Sequence, residues 1–104
     1  MSYNKLVRDN IPNIIKNNGQ EPITRILSNE EYKSELEKKL LEECNEVLLS
    51  MGSDRIEELA DVLEVIIALS KVEGKTLDDV MNVCKTKRLK RGSFDNKIFL
   101  EGVR

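Results

Sequence analysis

The chain has 104 residues, of which 39% are hydrophobic and 35% are charged, and its net charge is −2. This length fits a single domain over residues 1–104, and the composition excludes a disordered chain because enough apolar surface is available for a core. No apolar run is long enough to cross a bilayer, and the first five residues lack the apolar stretch of a signal peptide. We therefore expect a cytoplasmic protein without a membrane partner.

The first 29 residues are the least regular part of the sequence. Asp9 followed by Pro12 predicts a helix that starts near residue 10, and the sequence NNG at 17–19 predicts its end. After Pro22, a short extended segment is expected at 23–27. This N-terminal part is predicted to be an irregular segment that precedes the main helices.

Two long amphipathic helices are predicted next. The first begins at Ser28, where the sequence SNEE fits a capping box, and ends at Gly52. The second begins with a similar pattern at Asp54 and ends at Gly74. Apolar side chains recur at three- and four-residue steps in both helices. The predicted inward positions are Tyr32, Leu36, Leu40, Cys44, Val47, Leu48 and Met51 in the first helix, and Ile56, Leu59, Ala60, Leu63, Ile66, Ile67 and Ser70 in the second.

A further helix and an apolar tail complete the chain. Thr76 opens this helix in the sequence TLDD, and Gly92 closes it. Its predicted inward positions are Leu77, Val80, Met81 and Cys84. The tail at 94–103 carries Phe94, Ile98, Phe99 and Leu100, and we expect it to pack against the helices because these side chains are large and apolar.

The short connections between these helices predict antiparallel neighbours. Three helices of this size make a thin bundle, and Ile66, Ile67 and Leu69 cover most of the circumference of the second one. A helix that is apolar nearly all round is buried on nearly all sides. The predicted fold is therefore all-α, an antiparallel helical bundle that homo-oligomerisation completes, as a homodimer or a tetramer.

The two cysteines, Cys44 and Cys84, are too few and too far apart in sequence for a disulfide framework. Free cysteine is among the most buried residue types. We therefore expect both to be small buried residues on helix faces.

Two pairs of acidic residues suggest a metal site. Glu43 and Glu46 are three residues apart on the first long helix, and Glu58 and Asp61 have the same spacing on the second. A short loop would bring the pairs together, and Glu42, one turn before Glu46, could join them. Carboxylates this close repel one another unless a cation lies between them. Because the chain has no histidine, oxygen ligation favours Mg²⁺, or Mn²⁺, over zinc.

Acidic residues on a helix usually form only its solvated face, and Lys38, Lys39 and Arg55 could neutralise these as surface ion pairs. Asp61 argues for the metal, because it lies within the apolar sequence LADVL. An ionised carboxylate among leucine and valine is costly unless a cation or strong donors satisfy it.

Five of the seven residues at 85–91 are basic. Such residues at a helix C-terminus interact favourably with the helix dipole, which is one explanation. Beside a magnesium site, they could instead bind the phosphates of a small ligand. A nucleic-acid polymer is not expected, because the chain is acidic overall and has few aromatic residues for stacking. The candidate phosphate-binding residues are Lys85, Lys87, Arg88 and Arg91, with Lys5 and Arg8 as additions.

The chain resembles the MazG-like all-α nucleoside triphosphate pyrophosphohydrolases, a superfamily that includes phosphoribosyl-ATP pyrophosphohydrolase of histidine biosynthesis. The signature Glu-x-x-Glu followed by Glu-x-x-Asp is matched by ECNE at 43–46 and ELAD at 58–61. The resemblance extends to YNKLVRD at 3–9 and KRLKRGSF at 87–94, and so covers most of the chain. The interval between the two motifs is short for the family, and Asn82 and Lys85 echo its downstream pattern only in part.

The resemblance implies Mg²⁺-dependent hydrolysis of a nucleoside triphosphate to the monophosphate and pyrophosphate, in a house-cleaning role. It implies metal ligation by Glu43, Glu46, Glu58 and Asp61, and makes Glu42 or Glu43 the candidate that holds or deprotonates the attacking water. It also implies assembly from two or more subunits. Two alternatives stay open: the phosphoribosyl-ATP enzyme itself, and a non-catalytic helical interaction module.

Overall fold

The computed structural model of the protein describes residues 4–104, and within them it is all-α, with four helices and no strand. The helices are α1 (Ile11–Asn17), α2 (Asn29–Leu49), α3 (Gly52–Val72) and α4 (Leu77–Arg91). The first three residues lie outside this range, and with them Tyr3 of the motif at 3–9. No helix in residues 4–104 has the length and apolar character needed to span a membrane; the cytoplasmic location and the single domain stay predictions.

Capping boxes begin α2 and α4. The sequence predicted the box at Ser28 and, at Thr76, the start of the helix. The Ser28 side chain accepts a hydrogen bond from the Glu31 backbone N–H at 3.2 Å, and Glu31 accepts one from the Ser28 backbone N–H. Thr76 and Asp79 form the same reciprocal pair at α4. At Glu31, a side-chain hydrogen bond from Arg25, with the Ser28 bonds, lowers the carboxyl pKa to about 2.

The structure corrects the boundary between the two long helices. We expected Gly52 to end the first helix and Asp54 to cap the second, but α2 ends at Leu49, and Gly52 is the first residue of α3. Asp54 lies in the first turn of α3, and the N-cap residue Met51 makes no side-chain capping bond. Gly52 adopts a φ of 60°, which is favourable for glycine and strained for other residues.

Helices α2 and α3 pack together as an antiparallel hairpin, since only two residues connect them. Leu36 of α2 and Val65 of α3 are buried, and Ser70 donates a hydrogen bond to the Ile66 carbonyl oxygen. The Arg55 side chain donates to the backbone carbonyl oxygens at residues 47 and 50, which ties α3 to the end of α2. This hairpin is the best-packed part of the described chain. Val65 was not among the inward positions predicted for the second long helix, although it is buried.

Helix α4 contacts α3 only, and the tail after it stays exposed. Val80 and Met81 are 38% and 41% exposed, and Phe94 is 99% exposed. The expectations that α4 buries its apolar positions, and that the tail packs on the helices, are therefore wrong for the single chain. The expected burial of Cys44 and Cys84 is wrong as well, because both are exposed. The segment 23–27 is neither helix nor strand.

The overall shape is elongated. The radius of gyration is 18.0 Å, whereas a compact chain of this length would have about 13 Å. The accessible surface is 9639 Å² for a mass of 11.9 kDa, and a compact monomer of that mass exposes about 6,000 Å². A large apolar surface therefore remains uncovered by the chain itself.

Candidate metal centre

Three of the predicted ligands meet on the facing sides of α2 and α3. One carboxylate oxygen each from Glu43, Glu58 and Asp61 lies within 4.8 Å of the other two, and all three residues are half-buried. Glu58 and Asp61 share a face of α3 because they are three residues apart. The hairpin places Glu43 of α2 opposite that face. The arrangement follows from the helix period and the two-residue connection alone.

The basic side chains of Arg8 and Lys39 border this carboxylate cluster. The Nη2 atom of Arg8 donates to Oδ1 of Asp61 at 2.6 Å, across 53 residues of sequence. On the other side, Nζ of Lys39 lies 3.5 Å from Oε1 of Glu43 and 3.8 Å from Oε1 of Glu42. The negative charges of Asp61 and Glu43 are thus partly compensated by basic residues of the chain.

The surroundings of Glu58 disfavour the ionised form of its carboxyl. Partial burial and the negative charges of Asp61, Glu46, Glu43 and Glu57, in that order, raise the pKa of its carboxyl above the ordinary value of 4.5. Every one of these effects disfavours the ionised form. A bound cation would reverse that preference.

The donor set fits Mg²⁺. The three oxygens lie within 4.8 Å of one another, so Glu43, Glu58 and Asp61 would be the residues that hold a cation, after rotation of their side chains toward it. Mg²⁺ keeps several waters in most protein sites and needs only a few carboxylates. The residues present therefore suit this ion, and Mn²⁺ as well.

The other two predicted acidic residues lie outside this group of three. Glu46 is exposed, but its charge is close enough to raise the pKa of Glu58. Glu42 is exposed and points toward Lys39, which it shares with Glu43. The structure therefore brings together three of the four predicted metal ligands and leaves out Glu46. Glu42 lies beside the group, next to Lys39.

The basic residues of α4 lie around an open groove. Its volume is about 760 Å³, and its lining includes Lys87, Arg88 and Arg91 together with Phe94 and apolar residues of α4. Lys85 is exposed and is not among the lining residues. Arg8 pairs with Asp61 instead of joining this groove. Lys5 is also exposed and lies in the irregular segment before α1.

The ion pairs of Lys39 were expected only as the alternative to a metal site, and the Arg8–Asp61 pair was not predicted. Lys39 precedes Glu42 and Glu43 by three and four residues, so helical spacing indicated its two pairs. No local signal indicates the Arg8–Asp61 ion pair, because Arg8 belongs to a non-helical segment. Only the tertiary structure reveals it.

Comparison with known proteins adds little to this geometry. No family model matches the chain, and no solved structure does. A protein of Mycolicibacterium smegmatis that is described as uncharacterized is 46% identical over 43 residues, which are 41% of this chain and 44% of that protein. The similarity spans less than half of either protein. The resemblance to the MazG-like superfamily stays a prediction from the sequence motifs.

Proposed function

We propose that the protein is a Mg²⁺-dependent nucleotide pyrophosphohydrolase that converts a nucleoside triphosphate to the monophosphate and pyrophosphate. The observation that carries this proposal is the meeting of Glu43, Glu58 and Asp61 oxygens within 4.8 Å. The cluster lies between two helices, and its three residues belong to the two motifs that resemble the family signature. Carboxylate oxygens without nitrogen donors favour a hard cation, and such a cation favours phosphate oxygens.

In this proposal, each acidic residue has a distinct task. Glu43, Glu58 and Asp61 hold the ion, and Glu46 adds negative charge beside Glu58. When bound, Mg²⁺ neutralises phosphate oxygens and orients the polyphosphate. Glu42 stands one residue from a ligand and is exposed, so it can accept a proton from, or hold, an attacking water. Nζ of Lys39 lies 3.8 Å from Oε1 of Glu42 and 3.5 Å from Oε1 of Glu43, so it partly compensates the negative charge of both.

The groove on α4 would receive the phosphates. Lys87, Arg88 and Arg91 line it together, and guanidinium groups bind phosphate oxygens in a bidentate fashion. The groove therefore supplies positive charge for the phosphates.

A homodimer, or a tetramer of such dimers, is part of the proposal. The accessible surface of 9639 Å² exceeds that of a compact monomer by roughly 3,600 Å². Each subunit of an obligate dimer buries about 1,000–2,500 Å². The exposed apolar side chains of α4 and the tail, with those at the end of α2, supply the surface for such an interface.

Pyrophosphate release from a panel of nucleoside triphosphates, with and without Mg²⁺, tests the proposal. We expect release that depends on the metal and falls more than about a hundredfold in Asp61→Asn, since even outer-shell ligand changes cost 10–100-fold. Glu37→Gln is the matched control, because Glu37 is an exposed acid of α2 outside the cluster. Activity on phosphoribosyl-ATP alone would identify the biosynthetic alternative. No Mg²⁺-dependent stabilisation with any nucleotide would favour a non-catalytic helical module.

A further inference from the structure

Arg8 occupies an unusual position at the carboxylate cluster. It lies in the irregular segment before α1, yet its guanidinium reaches Oδ1 of Asp61 at 2.6 Å. Asp61 contributes one of the three oxygens that lie within 4.8 Å of one another. The side chains of Arg8 and Asp61 are 57% and 42% exposed, so the pair can open without disturbing a packed core.

A metal ion and Arg8 would compete for the same carboxylate. Asp61 has one negative charge, and the short bond to Arg8 already uses the oxygen Oδ1. A guanidinium so close to the cluster also adds positive charge, which opposes the approach of a second cation. Lys39, another basic neighbour, lies farther from its carboxylate, at 3.5 Å from Glu43. Arg8 is therefore a tighter counter-ion than Lys39.

We propose that Arg8 is an internal counter-ion, which neutralises Asp61 in the metal-free protein and which Mg²⁺ displaces on binding. This inference rests on the proposed metal site. Arg8 reduces the repulsion among the three carboxylates while no metal is bound, and so keeps the hairpin face assembled. Metal affinity is consequently lower than the carboxylates alone would give.

The alternative is that Arg8 only tethers the N-terminal segment to α3. The two roles predict opposite signs when Arg8 is removed. If Arg8 competes with the metal, its loss strengthens Mg²⁺ binding. If it only positions Asp61, its loss weakens binding, because Asp61 is then free to turn away from Glu43 and Glu58.

The experiment is a calorimetric titration of the full chain with Mg²⁺, without nucleotide, at constant pH and ionic strength. We expect Arg8→Gln to bind Mg²⁺ about two- to fivefold more tightly than the unmodified protein, the range set by an exposed ion pair. Arg8→Lys keeps the charge but not the guanidinium fork, and its affinity should lie between the two. Arg25→Gln is the matched control, because Arg25 forms an equally exposed 2.7 Å ion pair with Glu31 outside the cluster.

Arginine side-chain NMR gives a second readout that does not involve turnover. The Nε–H signal of Arg8, assigned by its loss in Arg8→Gln, should move toward that of a free arginine as Mg²⁺ is added, while that of Arg25 should not. Unchanged or weaker Mg²⁺ binding in Arg8→Gln, with binding still lost in Asp61→Asn, would overturn the role of Arg8 and leave the metal site standing. Mg²⁺ binding that is absent, or equal in Asp61→Asn, would overturn both.

Discussion

The α2–α3 hairpin and the α4–tail segment differ in how much of their apolar surface is buried within a single chain. Both begin with a complete capping box, and both carry apolar side chains at helical spacing. The hairpin buries Leu36 and Val65 and assembles three carboxylates. In α4 and the tail, Leu89, Phe94 and Phe99 are each at least 87% exposed. Local signals therefore determine where a helix forms, but only a packing partner determines whether its apolar face is buried.

Because of this difference, we expect the two segments to have different roles in the protein. The hairpin brings the carboxylates of Glu43, Glu58 and Asp61 together within one chain. In the α4–tail segment, basic residues and the Phe94 ring surround an open groove. The apolar side chains of this segment are exposed in the single chain. Substitutions in the two segments should thus act on different measurable quantities, folding in the first and assembly in the second.

The largest effect on folding is expected in the hairpin core. Leu36 is only 3% exposed, and Leu36→Ala should lower the free energy of unfolding by about 2–5 kcal/mol because it leaves a cavity. Leu41→Ala on the same helix is the control, since Leu41 is 70% exposed and its loss should cost under about 0.5 kcal/mol. Chemical denaturation at one protein concentration measures both. Equal losses would show that α2 is covered differently in solution.

The next effect concerns assembly. Phe94 is 99% exposed in the single chain, and a covered phenylalanine contributes about 1.5–3 kcal/mol. If a second subunit covers it, Phe94→Ser should raise the dissociation constant of the oligomer at least about tenfold, with the hairpin still folded. Sedimentation over a range of concentrations measures this. A folded monomer at every concentration of the unmodified protein would contradict the predicted assembly.

The sequence predicted the helices well and their environment poorly. Ser28, Thr76, Gly74 and Gly92 act within one helical turn, so their effects could be recognised from neighbouring residues. The i,i+3 spacing likewise placed Glu58 and Asp61 on one face. The exposure of Cys84 and the tail could not be predicted in this way, because burial depends on what packs against a helix. The contact between Arg8 and Asp61 joins segments that share no local pattern.

A smaller effect should appear in the pH dependence of the metal-free hairpin. The pKa of Glu58 is raised above 4.5 in the folded chain, so folding favours its protonated form. Stability from this residue is therefore fully present below pH 4.5 and is lost as pH rises through the raised pKa. Glu58→Gln should flatten this part of the stability curve, whereas Glu37→Gln should not. Thermal unfolding with a metal chelator, from pH 4 to 8, measures the difference.

The smallest effect separates the two capping boxes. Ser28→Ala and Thr76→Ala each remove one capping hydrogen bond, which costs about 0.5–2 kcal/mol of helix stability. Because α2 packs along α3, the loss at Ser28 should appear in global unfolding. The loss at Thr76 should appear mainly as faster hydrogen exchange in α4. The same global loss in both variants would mean that α4 is as firmly docked as the hairpin.

The most direct test of the central claim is a crystal structure with Mn²⁺ and a non-hydrolysable nucleoside triphosphate analogue. Anomalous scattering locates the ion independently of any assumption about its ligands. We predict a peak between the carboxylates of Glu43, Glu58 and Asp61, with the Arg8–Asp61 bond broken. A peak elsewhere, or none at this cluster when the analogue is bound, would contradict the assignment of these three residues as a metal centre.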